Sequence, residues 1–222
     1  MANVAAHTVA PLGRKRRGEG HTRRDEILAA AKALFIEEGY GATTIRKIAE
    51  RVGVSAPALY LYFKDKDEIM LALCDQTFGH LIELFQGIEC LECSPRDRLR
   101  QMGEAYIKFG LEHIGEYRLI FMEEQAPEPV RHTGHRADLS DPEQPGIKGA
   151  VAFAMLERQF IELQKGGAKL PHSPVTCAEL CWMACHGLVS AFINEPDFPW
   201  SDRQELIRGM VDLTIRGFAP PQ

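Results

Sequence analysis

Residues 43–66 read TTIRKIAERVGVSAPALYLYFKDK, and few folds suit such a segment. Ile45, Ile48, Ala49 and Val52 recur at helical spacing, which predicts a short helix with one apolar face. Thr43 or Thr44 can cap its start, because a hydroxyl accepts a backbone N–H that the first turn leaves unpaired. Gly53 ends it, since a left-handed backbone is cheap only for glycine. Val54 follows as a buried hinge residue. Ser55 is a second N-cap, and Pro57 fits the first turn of the next helix, where a missing N–H costs nothing. Leu59 and Phe63, four apart, face inward, while Tyr60 and Tyr62 point elsewhere with hydroxyls free for phosphates. Helix, glycine turn and helix make the helix-turn-helix pattern, whose second helix suits a DNA major groove.

Upstream, Ile27, Ala30, Ala31, Leu34 and Phe35 form an apolar stripe in a helix predicted over 22–38. Thr22 would cap it, with Asp25 and Glu26 at its positive end, and Gly39-Tyr40-Gly41 stops it. From 23 to 70 the apolar, glycine, Leu-Tyr and Lys positions together resemble the N-terminal DNA-binding domain of the TetR family of transcriptional regulators. The resemblance implies roles residue by residue. Arg46 would reach a base edge or a phosphate, arginine matching guanine bidentately. Thr44 would donate to a phosphate, and Ser55, Ala56, Pro57 and Ala58 would form the exposed start of the recognition helix. This chain has Pro57-Ala58 where the family commonly has Gly-Thr, so Ala56 and Ala58 would meet thymine methyls instead. Tyr60 and Tyr62 would hold phosphates or sugars, and Lys66 a phosphate at the next helix's N-terminus. Direct base readout is then sparse, leaving much of the specificity to DNA shape and backbone contacts.

Charge agrees. The 222 residues carry a net −5, which alone argues against nucleic acid. Residues 1–64, however, hold 11 Lys/Arg against 6 Asp/Glu, and residues 65–222 hold 15 against 25. A basic head on an acidic body can grip phosphates while the body stays off the DNA. Arg14-Lys15-Arg16-Arg17 reads either as a solvated tail or as an arm on phosphates or the minor groove. The N-terminus has no apolar signal core and no run of about 20 apolar residues follows, so a cytoplasmic location without membrane partners is expected.

The remainder reads as helices over 65–85, 94–113, 115–124, 147–165, 174–194 and 201–217. Pro127, Pro129, Pro142 and Pro145 mark a loop over 126–146. The class is all-α, divided into a basic arm (1–20), a helix-turn-helix domain (21–66) and a helical effector and dimerisation domain (67–222).

On the last two helices, Ala178, Cys181, Trp182, Cys185, Val189 and Phe192, then Leu206, Met210, Leu213 and Gly217, fall at helical spacing. The resemblance implies that they build a homodimer as a four-helix bundle, with Gly187 and Gly209 allowing close approach; otherwise they close the protomer core. Trp182 to Gly187 also resembles a W-x-x-x-H-G signature of one branch of TetR-type C-terminal domains. His186 reads as a satisfied core or interface imidazole, or as a ligand contact. Tyr106, Phe109, His113, Tyr117, Phe121, Met122, Phe153, Phe160 and Trp182 are core aromatics and Met, or together the lining of an apolar effector cavity.

Six cysteines include the pair Cys90-x-x-Cys93 and the series Cys177, Cys181, Cys185. Buried thiols are expected, with redox or metal sensing as the alternative. No enzyme motif is present, and neither cofactor nor metal is expected. The reading is a homodimeric repressor that leaves a double-stranded operator when a small apolar effector binds. An architectural DNA binder without effector is the rival.

Overall fold

The structure, a computed structural model, describes residues 20–123, 139–141 and 144–218. The basic run at 14–17 and most of the 126–146 segment lie outside the described residues. Among the described residues the chain forms nine helices and no strand. They are α1 (Gly20–Glu38), α2 (Ile45–Val52), α3 (Ala56–Leu59), α4 (Lys66–Glu89), α5 (Pro95–Glu112), α6 (Ile114–Phe121), α7 (Lys148–Lys165), α8 (Pro174–Asn194) and α9 (Arg203–Phe218). The fold is all-α, as its apolar periodicities require.

Local polar chemistry sets most helix starts. Thr44 accepts the Lys47 N–H at 3.3 Å and Ser55 that of Ala58 at 3.3 Å. Asp65 accepts from Glu68 at 2.8 Å, Ser94 from Asp97 at 3.1 Å and Ser173 from Thr176 at 3.3 Å. Each bond satisfies a donor that the first turn cannot. Gly53 ends α2 at φ 74°, the left-handed conformation expected of it. Thr22 is a correction: α1 begins at Gly20, so Thr22 sits inside the first turn and is not the N-cap.

α7 has no side-chain cap of its own. Asp75, midway along α4, supplies one, accepting the Gly146 N–H at 2.7 Å and the Lys148 N–H at 3.2 Å. Further on, Glu89 of α4 meets Gln159 at 2.9 Å and Arg158 at 3.6 Å on α7, so the two helices run in the same direction.

α5 lies at the centre of the body and packs on α4, α7, α8 and α9. One face of α8 closes against it. Ala178, Cys181, Cys185, Val189 and Phe192 are all buried within the protomer, with Val189 at 0% and Phe192 at 3% exposure. This corrects their reading as dimer-interface residues: they complete the protomer's own core. Gly110 of α5 makes the contact possible. A Cβ there would lie 2.8 Å from Val189 Cγ1 and 3.0 Å from the Tyr117 ring. By length and composition α8 is apolar enough to cross a membrane, which amends the expectation that no such run exists. Its buried face is that of a core helix.

Gly110→Ala should therefore lower the unfolding free energy by about 1–3 kcal/mol through overpacking. Gly87→Ala, on α4 where a Cβ meets nothing within 4 Å, should raise it by about 0.5–1 kcal/mol. Urea unfolding of both variants beside the parent checks the pair, and equal shifts would contradict this packing.

Candidate DNA-binding surface and effector cluster

The head is built around Ile27, Leu28, Leu34 and Phe35 of α1, Ile48 of α2, and Leu59 and Phe63, all buried. α3 is a single α-helical turn that continues as tighter turns, with Leu61 N–H donating to Ala58 O at 3.3 Å and Tyr62 N–H to Leu59 O at 2.9 Å. Leu59 (0% exposed) and Phe63 (1%) pin it from below, and the Arg24 guanidinium lies 4.7 Å from the Phe63 ring centroid.

The opposite side stands in solvent. Thr44, Arg46, Ser55, Pro57 and Tyr60 are exposed, and Ala56, Ala58 and Tyr62 are half-buried. The Thr44 and Ser55 oxygens accept their cap bonds, which leaves each O–H free to donate outward. Leu61, 83% exposed between the two tyrosines, was not singled out from the sequence. Its signal was available: it lies two positions from both inward-facing residues, Leu59 and Phe63, and so off their face.

Lys66 is put to a different use from the one expected. Its Nζ donates to Tyr40 O at 2.7 Å and Thr43 O at 3.1 Å, and stands 4.0 Å from the Tyr40 ring centroid. Burial lowers its pKa. The ammonium fastens α4 to the α1–α2 loop rather than facing a phosphate. Tyr40 adds a hydroxyl bond to the Asp67 carboxylate, and burial, then Asp67, hold that hydroxyl far above the ordinary tyrosine range.

Besides a Tyr40 N–H bond to Glu123 Oε2 at 3.4 Å, two contacts to α6 join head to body, and no sequence signal pointed to them. Lys32 Nζ donates to Glu116 Oε1 at 3.1 Å. Ile36 closes on Gly115, where a Cβ would lie 2.7 Å from Ile36 Cδ1. Both partners belong to α6. A small open pocket at this junction is lined by Lys32, Met70, Thr77, Glu116 and Leu119, none of them among the aromatics expected to line an effector cavity.

Those aromatics divide. Tyr106, Tyr117, Phe121, Trp182 and His186 form one cluster. Trp182 Nε1 donates to the Tyr106 oxygen at 3.1 Å, and the Tyr106 and Tyr117 hydroxyls are 3.2 Å apart. Tyr117 Oη and His186 Nδ1 are 2.5 Å apart, and His186 Nε2 is 3.4 Å from Ser190 Oγ. One proton order satisfies every member: Trp182 to Tyr106, Tyr106 to Tyr117, Tyr117 to Nδ1, and Nε2–H to Ser190. Phe121 packs on Tyr117, Trp182 and His186, with ring centroids 4.8, 6.3 and 5.0 Å away. Phe109 and His113 pair with each other instead, as tilted rings with centroids 4.6 Å apart. Phe153 on α7 is half-buried against the core, and Phe160 is fully buried, 5.7 Å from Phe218.

Cys74, Cys177, Cys181 and Cys185 are buried, while Cys90 is exposed and Cys93 half-exposed. Burial pushes the Cys74 thiol up to about 12. The hydrogen bond with Cys185, then burial, holds the Cys181 thiol well above its usual value. Among the described residues no group of three or more His, Cys, Asp or Glu side chains is placed to hold a metal ion.

A helix-turn-helix head with a solvent-facing α3, carried on a helical body, defines a DNA-binding transcriptional regulator. Comparison with known proteins gives the family. Residues 27–73 match the family model described as bacterial regulatory proteins, tetR family, and residues 99–214 match the tetracyclin repressor-like C-terminal domain. The chain belongs to the TetR family, whose members are regulators and not enzymes.

It is similar to the transcriptional activator FasR of Mycolicibacterium smegmatis, with 37% identity over 123 residues, 54% of this chain and 56% of that one. It is also similar to the repressor KstR2 of Mycobacterium tuberculosis, with 31% identity over 107 residues, 48% of this chain and 53% of that one. The chain spans about half the length of these curated relatives. The solved structure of AibR with isovaleryl coenzyme A and operator DNA shares the fold at TM-score 0.61 and 18% identity, over 90% of this chain and 100% of that one.

Burial lowers the pKa of His186. Below about pH 6.5, the ordinary imidazole value, the unfolded chain takes up a proton that the folded chain resists. Stability is therefore intact above that pH and declines as pH falls through it. His186→Gln should shrink this loss, as read from urea midpoints at about pH 7.5 and about pH 5.5. An unchanged difference would place His186 outside the acid response.

Proposed function

We propose that this protein acts in the cytoplasm as a homodimeric repressor on a near-palindromic operator, released by a small, largely apolar ligand. The observation that carries the reading is the solvent exposure of Thr44 and Arg46 at the start of α2 and of Ser55, Pro57, Tyr60 and Leu61 along α3 and the turn after it. Buried Leu59 and Phe63 hold α3 rigid. In this reading α3 enters the major groove, Arg46 reaches a guanine or a phosphate, and the tyrosines grip the backbone. The chain divides into an arm (1–20), a DNA-binding domain (21–66) and an effector and dimerisation domain (67–222).

Dimerisation is supported by the outward faces of α8 and α9. Leu213 is 73% exposed and Met183 50%, and a Cβ added at Gly187, Gly209 or Gly217 would meet nothing within 4 Å. Leu206 and Met210 are half-buried on α9. Bare backbone flanked by apolar side chains suits a second copy, and a two-fold pair presents two α3 edges to two half-sites.

The ligand reading rests on the cluster at Tyr106, Tyr117, Phe121, Trp182 and His186. The complex of AibR with isovaleryl coenzyme A supports a ligand whose apolar part is a short acyl chain. α6 links this cluster to the head, with Tyr117 and Phe121 on one side and the Glu116–Lys32 and Gly115–Ile36 contacts on the other. A ligand that displaces Tyr117 would shift α6, α1 and the head spacing, provided it binds the released state more tightly. Repression follows the KstR2 likeness, and FasR, an activator, represents the opposite sign.

Selection from random DNA duplexes should enrich one inverted repeat. Arg46→Ala should weaken that site by about 5–150-fold, the equivalent of about 1–3 kcal/mol. Leu213→Glu should yield a monomer in sedimentation and lose the repeat. Short- and medium-chain fatty acids, free or as their coenzyme A esters, should release the parent complex. Salt-dependent binding without any motif would favour an architectural DNA binder instead.

A further inference from the structure

We propose that Cys90 and Cys93 form a redox-active dithiol, closing to an intramolecular disulfide on reaction with a hydroperoxide. The proposal is independent of the DNA-binding reading.

Accessibility separates this pair from the other cysteines. Cys74, Cys177, Cys181 and Cys185 are buried, so a dissolved oxidant meets Cys90 first and Cys93 next. The pair also occupies the one stretch between α4 and α5, where no helical ladder has to break for sulfurs to meet. Cys90 caps the end of α4 at φ −74° and ψ −9°. The chain then folds back, with Leu91 N–H donating to Ile88 O at 3.1 Å and Cys93 N–H to Leu91 O at 2.9 Å. An extended chain would set the two Cα atoms about 10 Å apart. These successive bends shorten the span toward the roughly 4.4–6.8 Å that a disulfide accepts.

The surroundings hold the turn in that shape. Arg98 Nη2 donates to Leu91 O at 3.2 Å, the same oxygen that accepts from Cys93. The guanidinium therefore lies beside the Cys93 backbone, and its Nε is buried without a hydrogen-bond partner. Gln101 Nε2 donates to Cys93 Sγ at 3.7 Å, which fixes the position of that sulfur. One thiol is thus held in place and the other is open to solvent, the arrangement of a resolving and an attacking cysteine.

The chemistry balances. The Cys90 thiolate attacks one oxygen of the hydroperoxide, the O–O bond breaks, and water or the corresponding alcohol leaves, giving a sulfenic acid. The Cys93 thiol attacks that sulfur, the S–O bond breaks, and a water leaves with the thiol proton. The two thiols are oxidised by two electrons and the peroxide is reduced by two.

The test uses the full-length reduced protein and hydrogen peroxide. Thiols that react with Ellman's reagent in the native protein should number two before treatment and none after it. The mass should fall by two hydrogen atoms, digestion should give a peptide linking Cys90 to Cys93, and dithiothreitol should reverse both changes. In Cys93→Ser the reaction should stop at a Cys90 sulfenic acid that dimedone traps. A sulfinic acid at Cys90 with the Cys93 thiol intact would overturn the proposal. So would disulfide-linked dimers, or a bridge between Cys181 and Cys185.

Discussion

A half-buried ammonium joins the two parts of this molecule. Lys66 is the first residue of α4, yet its Nζ reaches back to the carbonyls of Tyr40 and Thr43 between α1 and α2. Without it, two carbonyls at the base of the head would lose a charged donor, a loss of about 1–3 kcal/mol where water cannot replace it. The Tyr40 ring beneath the charge and the Tyr40–Asp67 bond fix the same joint twice more. α4 therefore cannot pivot without carrying the head along. Its middle caps α7 through Asp75, and its end meets α7 again through Glu89. A change anywhere along the α4–α7 seam has a mechanical route to α3.

α6 and α8 work through having two dissimilar faces. α6 turns Tyr117 and Phe121 inward and Glu116 toward Lys32 of the head. On α8, Trp182 and His186 are four residues apart and share the inward face, where Trp182 holds Tyr106 of α5 and His186 holds Tyr117 of α6. At Gly187, the next residue, the place of a side chain is open space. The W-x-x-x-H-G spacing thus has a physical content here. Two residues fasten α8 to its neighbours, and the third leaves bare backbone at an exposed position.

What could be read from the sequence was local. Thr44 and Ser55 were readable as helix caps because a hydroxyl three residues from a free N–H needs no tertiary context. Leu59 and Phe63 were readable as inward because spacing fixes their face. The errors came from partners that sequence spacing does not disclose. Lys66 looked like a phosphate ligand because its acceptors are backbone oxygens more than 20 residues away. Val189 and Phe192 were recognisable as covered, but periodicity says only that a face is buried, not whether the same chain buries it. Lys32 and Glu116 are ordinary surface letters until the fold brings them to 3.1 Å. Thr22 was placed one turn wrong because α1 runs on through His21 to Gly20.

Glycine shows the same limit most sharply. Gly110 and Gly187 look alike in the sequence, and both sit within helices at a cost of about 1 kcal/mol relative to alanine. Gly110 is there because Val189 and the Tyr117 ring fill the place of its side chain. Gly187 has nothing within 4 Å of that place. A protomer standing alone would bear the second cost with no return, and would leave Met183 and Leu213 in water as well. Burying each of those two side chains stabilises by about 1.5–3 kcal/mol. A second copy laid against α8 and α9 would offset the glycine cost several times over, which is the physical reason to expect that face to be covered.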